Sequence, residues 1–319
     1  MRKNSWVAGR RVSTIRLKNP LLSGIITRKL CILFRNLDLL IPSKGVVVYQ
    51  TQHGYNAQSW APNIWRIRFI LNYKQLPYKT VWVEFADVET TLRSIGAPPS
   101  VIKSDGRSVY SLPVLIDPTN TPYTPVILSN TNNISEYLES RYPSPAVFPA
   151  GSRALQSLFA HYIQEVFAKP LLPIMVPISH QQLSDRNQRH LRNNPSSLSA
   201  AYNPQGYSSS NPLPLGPQRE QAWLAVKEQF DFIDTIMAKN AGDGDGIVVM
   251  GREVSYADFV LCSILLWIGQ LLLPRLEQLL NPLSCVVHIA PQDWARVQNW
   301  NGGRWARLWE RCKPYMQEH

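Results

Sequence analysis

At 319 residues, with 45% hydrophobic side chains and ten tryptophans, the chain is long enough for about two domains and too apolar to be disordered. The formal charge of +11 suggests nucleic acid until it is located: residues 1–45 hold ten Lys and Arg against one acid, whereas residues 46–319 hold 23 basic and 21 acidic residues, which excludes a basic binding face there. A mean hydropathy of −0.18 indicates a soluble protein, and the longest apolar run, Phe259 to Leu273, is interrupted by Ser263 and Gln270 and falls short of the ~20 residues of a membrane span.

Residues 1–45 read as a separate basic extension. The segment is Arg-rich, contains Ser and Thr and is nearly free of acids, a composition shared by mitochondrial transit peptides and by plain disordered tails. A cytoplasmic protein is expected, with mitochondrial targeting as the alternative. A secretory signal is disfavoured because Arg35 and Asp38 break up the apolar Cys31–Ile41.

The β-branched run Val46–Gln50 predicts a first strand. Pro62 suits the first position of a helix, where its missing N–H costs nothing, and Ile64, Ile67 and Leu71 give that helix an apolar stripe widened by Trp65 and Phe69. Thr80–Glu84 predicts a second strand and Val88–Ile95 a short helix ended by Gly96-Ala97-Pro98-Pro99. After a Gly/Ser loop over residues 104–108, Val114–Ile116 and Val126–Leu128 predict two strands joined by a turn at Asp117–Asn120. A helix carrying Ile134, Tyr137 and Leu138 follows and stops before Pro143. Residues 46–142 thus form an α/β domain, and 143–152 form a Pro-rich linker.

From residue 153 to 319 the period is helical throughout. Leu155, Leu158, Phe159, Tyr162, Ile163 and Val166 share one apolar face; Trp223, Val226, Phe230, Ile233 and Met237 share another. Ser255 and Asp258 have the spacing of a capping box and open a third helix. A last short helix follows Gly302-Gly303 with Trp305, Leu308 and Trp309. Between the first two helices, residues 184–217 are rich in Ser, Asn and Pro and read as a long mobile loop.

Few residues here can carry chemistry. The four cysteines form no CxxC pair and the six histidines show no ligand spacing, so no metal is expected. Gly242–Gly246 lacks the later ligands of a calcium loop and reads as a turn. Leu112-Pro113 enters a strand, where a cis bond would present the Leu112 main chain to an extended peptide; an ordinary proline at a strand start is the other reading. Ser129-Asn130-Thr131 precedes a helix, so its oxygens and N–H groups suit either a bound carboxylate or a simple cap.

The segments Trp60–Arg68, Leu71–Lys74, Pro77–Glu84, Gly96–Pro99 and Ser111–Val114, together with Ser255–Phe259 and Trp300–Trp305, resemble fungal glutathione S-transferase-like proteins, a group related to the etherase-type glutathione S-transferases. The resemblance implies a thioredoxin-like N-terminal domain followed by a helical C-terminal domain, glutathione bound between them, a small hydrophobic electrophile as second substrate, and a homodimer. It assigns Leu112 and Pro113 to the cysteinyl backbone of glutathione, Asn130 and Thr131 to its γ-glutamyl end, and Ser255 and Asp258 to a structural cap.

One position departs from that pattern. The family has Ser immediately before Pro62, where its hydroxyl donates to the glutathione sulfur; here the residue is Ala61. The thiolate is the nucleophile and a free thiol has a pKa of ~8.5, so a missing donor bears on rate. Substitutes are the free N–H groups of Asn63 and Ile64 and the side chains of Ser59 and Asn63. Two readings follow: a transferase acting on an electrophilic metabolite, in the manner of fungal secondary-metabolite biosynthesis, or a non-catalytic glutathione-binding or protein-interaction module. Glutathione-dependent disulfide reduction is disfavoured, since no cysteine lies near Pro62.

Overall fold

Strand β1 (Val46–Thr51) is an apolar run buried from Val46 to Gln50, as expected of a strand covered on both faces. The computed structural model describes residues 46–51, 59, 61–119, 125–181, 183–193, 214–240, 242–272 and 291–317. The basic extension, Cys31, Cys285 and Asn120 lie outside these residues. Strand β2 (Tyr78–Val83) pairs parallel with β1. A small hairpin, β3 (Val101–Ile102) with β4 (Ser108–Val109), stands apart, in a region whose sequence suggests only a loop. Strands β5 (Val114–Asp117) and β6 (Val126–Ser129) complete a four-stranded sheet of order β2-β1-β5-β6, with β5 antiparallel to both β1 and β6.

Helix α1 (Pro62–Tyr73) is buried on nearly every side, even at Arg66 and Arg68. It lies between the sheet and the helical half, a position that leaves little solvent face. Arg68 donates to Thr80 Oγ1 at 3.1 Å and sits over the Trp65 and Tyr78 rings, while Arg66 reaches Gln164. A 3-10 turn, Phe85–Asp87, and α2 (Val88–Ser94) follow β2, and α3 (Thr131–Arg141) follows β6.

The linker is fastened rather than loose. Lys74 is fully buried, and its ammonium donates to Glu139 Oε2 at 2.7 Å, Tyr142 O at 2.6 Å and Pro145 O at 2.7 Å. Glu139 in turn accepts from the N–H groups of Val147 and Phe148. One ion pair therefore ties α1, α3 and the connection to the second half.

That half comprises α4 (Arg153–Tyr162), α5 (Leu172–Gln181), α6 (Asp185–Asn193), α7 (Gly216–Met237), α8 (Tyr256–Leu272), α9 (Pro291–Asn299) and α10 (Arg304–Cys312). The fold is thus a thioredoxin-like domain of mixed sheet and helices followed by a helical domain. Helix α8 is its axis: Phe259 stacks on Phe69 of α1 at 5.2 Å, and Tyr73 meets the same ring edge-on. Phe230 gathers Phe167, Trp300 and Trp305 within 4.8–5.4 Å. Asn301, Gly302 and Gly303 all have positive φ, which turns the chain sharply into α10.

Two expectations are corrected here. The expected loop over residues 184–217 contains helix α6 at Asp185–Asn193 and the start of α7 at Gly216, while its residues 194–213 lie outside the described residues. Such a short helix is marginal alone. It is held by burial of Leu191 and Asn187 and by Arg186, which makes two bonds to Asp87 at 2.6 Å and one to Glu84 at 3.0 Å. The hydrogen bonds from Arg186 hold the Asp87 carboxyl below its usual range. The apolar face of α4 is also divided. Ile163 goes inward, but Leu155 and Leu158 are 67% and 63% exposed, while Gln156 is buried, because its Oε1 accepts the Ala257 N–H at the start of α8.

Candidate functional site

Strand register brings the candidate residues to one end of the sheet. Thr51 ends β1 opposite Val83, the last residue of β2. Val114 begins β5 opposite both Tyr49 and Ser129. Ser59, two residues before the N-cap of α1, bonds Gln50 near the end of β1, and the Leu112-Pro113 step and the start of α3 adjoin strand termini at that same end.

At the first of these, Ala61 is the N-cap of α1 and supplies no side-chain bond. Its methyl is wholly buried in the core. The Ile64 N–H, expected to be free, donates to Ala61 O at 3.0 Å, as does Trp65 at 3.1 Å. Pro62 has no N–H, so among the described residues the free donor of this first turn is the N–H of Asn63, whose side chain is partly exposed. Ser59 is turned inward: its hydroxyl donates to Gln50 Oε1 at 3.0 Å, and its carbonyl accepts from Trp65 Nε1 at 3.1 Å. That geometry commits Ser59 to the core and leaves Asn63 as the remaining substitute for the absent hydroxyl.

At the second, the Leu112–Pro113 peptide bond is cis and the Leu112 side chain is buried. Strand pairing of β5 starts only at Val114. Among the described residues neither the N–H nor the C=O of Leu112 has a hydrogen-bond partner. An unpaired N–H and C=O beside a strand are what an extended peptide uses to add itself to a sheet.

At the third, Asn130 has φ of 73° and caps α3, its Oδ1 accepting the Asn132 N–H at 2.9 Å and its Nδ2 reaching Ser100 O at 3.4 Å. The capping use expected of this triplet is thus realised at Asn130. Ser129 is occupied as well, donating to Pro98 O at 2.6 Å. Thr131 is half-buried; its carbonyl accepts from Ser135, while its hydroxyl and N–H point to no described partner. It is the group of the triplet best placed to meet an anion at this helix start.

Ser255 and Asp258 lie apart from that edge, at the start of α8. Asp258 Oδ2 accepts from the Ser255 N–H at 2.8 Å, as in a capping box, and Oδ1 accepts from Val249 at 2.7 Å. The Ser255 hydroxyl departs from the box: it donates to Asp258 Oδ2 at 2.9 Å rather than accepting the Asp258 N–H, which bonds Ser255 O. Burial pushes the Asp258 carboxyl up to about 6 despite these bonds. The cap reaches the site through Tyr256, whose N–H donates to Val147 O at 2.8 Å and whose hydroxyl donates to Asn132 at 3.4 Å. Sequence reasoning misses Gln156 and Arg186; a glutamine interrupting an apolar stripe is a signal for the first, and no local signal marks the second.

Residues 60–146 match the glutathione S-transferase N-terminal domain, and residues 154–278 the glutathione S-transferase C-terminal domain. Over 228 residues, 69% of this chain and 78% of the relative, the chain is 25% identical to the glutathione S-transferase-like protein ustS of Aspergillus flavus. Solved structures share its fold, among them the following two. Glutathione transferase GSTFuA3 of Phanerochaete chrysosporium is 27% identical, with a TM-score of 0.68 over 86% of this chain and 99% of its own. CsGST63524 of Ceriporiopsis subvermispora, solved in complex with glutathione, is 27% identical with a TM-score of 0.69 over the same shares.

Proposed function

We propose, from the premise that the chain belongs to the glutathione S-transferase family, that it binds glutathione along the Leu112 main chain and transfers it to an electrophilic organic metabolite. The unpaired Leu112 N–H and C=O between two helix starts carry this reading. In it, Leu112 pairs with the cysteinyl residue of glutathione and Pro113 lies against that residue. Thr131 takes the γ-glutamyl carboxylate through its N–H and hydroxyl, with Asn130 holding that helix start in place. The sulfur meets α1, where the Asn63 N–H and the helix dipole favour the thiolate. In this reading the acceptor comes from secondary metabolism, as the resemblance to fungal glutathione S-transferase-like proteins implies.

A second reading, a glutathione-binding module without catalysis, is favoured by one observation: Ala61 presents a buried methyl where the family has a donor. Losing one such donor typically costs ~10²–10³ in rate. The test is an Ala61→Ser variant beside the wild type, assayed for retention on immobilised glutathione and for conjugation of an activated chloroarene. Retention of both proteins, with the variant about a hundred- to a thousandfold faster than a slow wild type, supports a weakly activated transferase. Retention with no wild-type turnover selects the binding module, and loss of retention in both rejects glutathione altogether.

A homodimer belongs to the same proposal. Leu155, Leu158 and Val166 on and just after α4 stand exposed beside Phe232 and Ile236 of α7, and Tyr162 bridges the two rows through the Phe232 ring at 5.6 Å. Contiguous apolar surface of this kind marks an interface.

A further inference from the structure

Helix α1 ends after Tyr73 in a turn whose hydrogen bonds are ordinary and whose central residue is not. The Leu76 N–H returns to Leu71 O at 2.9 Å and the Gln75 N–H to Asn72 O at 3.1 Å, the paired bonds of a left-handed helix stop. That stop holds Gln75 at φ of 53°, where glycine sits without strain. The other described non-glycine residues with positive φ are Asn130 and Asn301, and asparagine tolerates this region well. Glutamine is strained there, and what it adds over glycine is its side chain.

That side chain helps to line a pocket of about 620 Å³, a volume within the range of small-molecule sites. Tyr73, Tyr78 and Tyr315 give the pocket aromatic walls, and Asn72, Gln75 and Gln317 give it carboxamides; none of its described lining residues is charged. The rings are held from behind. Tyr73 and Tyr315 meet edge-on at 5.2 Å, both pack on Phe259 at 5.5 and 5.9 Å, and the Arg68 guanidinium lies 5.4 Å from the centre of the Tyr78 ring. The Asn72 amide donates to Tyr315 O at 2.7 Å and to Gln317 O at 2.8 Å, which fixes the C-terminal segment as a wall of the same pocket. With both hydrogens engaged there, Asn72 Oδ1 is buried and has no hydrogen-bond partner among the described residues. A buried acceptor in that state is costly, and a hydroxyl donor entering the pocket relieves it.

We propose that this pocket is a binding site for a flat, uncharged aromatic molecule that carries a hydroxyl group. Flat faces suit the three tyrosine rings, the hydroxyl suits Asn72 Oδ1, and a full charge finds no counter-charge in the lining. The twelve residues of α1 separate this pocket from Ala61 by about 18 Å. Occupancy here is therefore independent of the glutathione reading, and the two ligands are held together.

The test measures the fluorescence of 2-naphthol on binding to the full chain as wild type, Gln75→Gly and Tyr315→Ala. The charged control is 2-naphthoate, and S-hexylglutathione is the competitor for the candidate glutathione site. Wild type binds 2-naphthol at least about tenfold more tightly than 2-naphthoate. Gln75→Gly weakens 2-naphthol about three- to tenfold while melting no lower than wild type, since glycine is unstrained at that φ. Tyr315→Ala weakens it about tenfold. Saturating S-hexylglutathione leaves the 2-naphthol affinity unchanged. Absence of binding to the wild type, or equal affinity in all three proteins, overturns the site, and displacement by S-hexylglutathione moves the aromatic to the other end of α1 and overturns it as well. If S-hexylglutathione itself does not bind, the glutathione reading fails, and loss of 2-naphthol affinity in the two variants still upholds the pocket.

Discussion

Replacing Lys74 by Met removes a buried cation that satisfies three acceptors at once, and the consequences can be worked from its surroundings. The Lys74 side chain is 0% exposed and that of Glu139 5%. Without the ammonium, Glu139 keeps two N–H donors, Val147 and Phe148, but loses its counter-charge, and the carbonyls of Tyr142 and Pro145 lose their donor. Breaking one side of a buried pair costs about 3–5 kcal/mol. Glu139→Leu costs a similar amount, because it strands a buried ammonium and two N–H groups. The double variant buries no charge; what remains are four unpaired backbone groups at roughly 1 kcal/mol each, so about 4 kcal/mol in place of the 6–10 kcal/mol that additivity demands. Urea unfolding of the four proteins, followed by tryptophan fluorescence, measures the cycle. Additivity within about 0.5 kcal/mol would refute the claim that these side chains act as one unit.

Two buried groups should titrate in opposite senses. His180, depressed by burial to about 4, withholds a proton that the unfolded chain takes up below 6.5, so its contribution is lost as the pH falls from 6.5 to 4; stability of His180→Phe relative to wild type should grow by about 3 kcal/mol over that fall. Asp258, raised to about 6, binds its proton more tightly when folded, so wild type relative to Asp258→Asn should gain about 3 kcal/mol as the pH falls from 6 to 4, and urea melts at four pH values with either sign reversed would contradict the assignment. Gln156→Leu leaves the Ala257 N–H buried without an acceptor and should destabilise by about 1–3 kcal/mol in thermal or urea melts; a neutral effect would mean another acceptor takes over. Leu158→Glu combined with Phe232→Glu places carboxylates in the exposed apolar stripe and should yield monomers in sedimentation velocity where the wild type sediments as a dimer, with unchanged sedimentation refuting that interface.

The parts of the fold legible in the sequence are those stabilised by their neighbours in the chain. The run Val46–Gln50, Pro62 at a helix start, and the period of Trp223 to Met237 each announce an element without outside help, and the structure places strand or helix at all three. Helix α6 does not, because its stability comes from Asp87 and Glu84, 99 and 102 residues from Arg186 along the chain. The face of α4 is misjudged for a related reason: the sequence gives the period of an apolar stripe but not which side the core covers. Within the candidate site, the pattern points to the proline step at Leu112-Pro113 and to the helix start at Thr131, and the structure has a cis bond at the first and a helix from the second. The pattern does not reveal that Asn130 is committed to its own cap or that Ile64 bonds back to Ala61, since both depend on the local twist of one residue.

In the proposed reading, holding glutathione and activating it fall to different elements. There, the contacts that hold the peptide, at Leu112 and Thr131, stand on β5 and α3 and owe nothing to Ala61. Activation rests on the first turn of α1, which is rigid: Arg66 and Arg68 are buried, and Phe69 stacks on Phe259. A rigid helix start keeps its dipole aimed at one point, but a dipole and one N–H from Asn63 lower a thiol pKa less than the same dipole with a hydroxyl donor added. In that reading a larger share of the bound thiol stays protonated at neutral pH than with a hydroxyl donor in place. Acceptors matched to such a site are those reactive enough to proceed with a small thiolate fraction, and their discrimination falls to the walls of the cleft rather than to the sulfur. Asn63→Asp tests this division directly. A carboxylate facing the sulfur should lower conjugation at least tenfold and move its pH profile to higher pH, with retention on immobilised glutathione preserved. Parallel loss of retention and rate would show that binding and activation share the same residues after all.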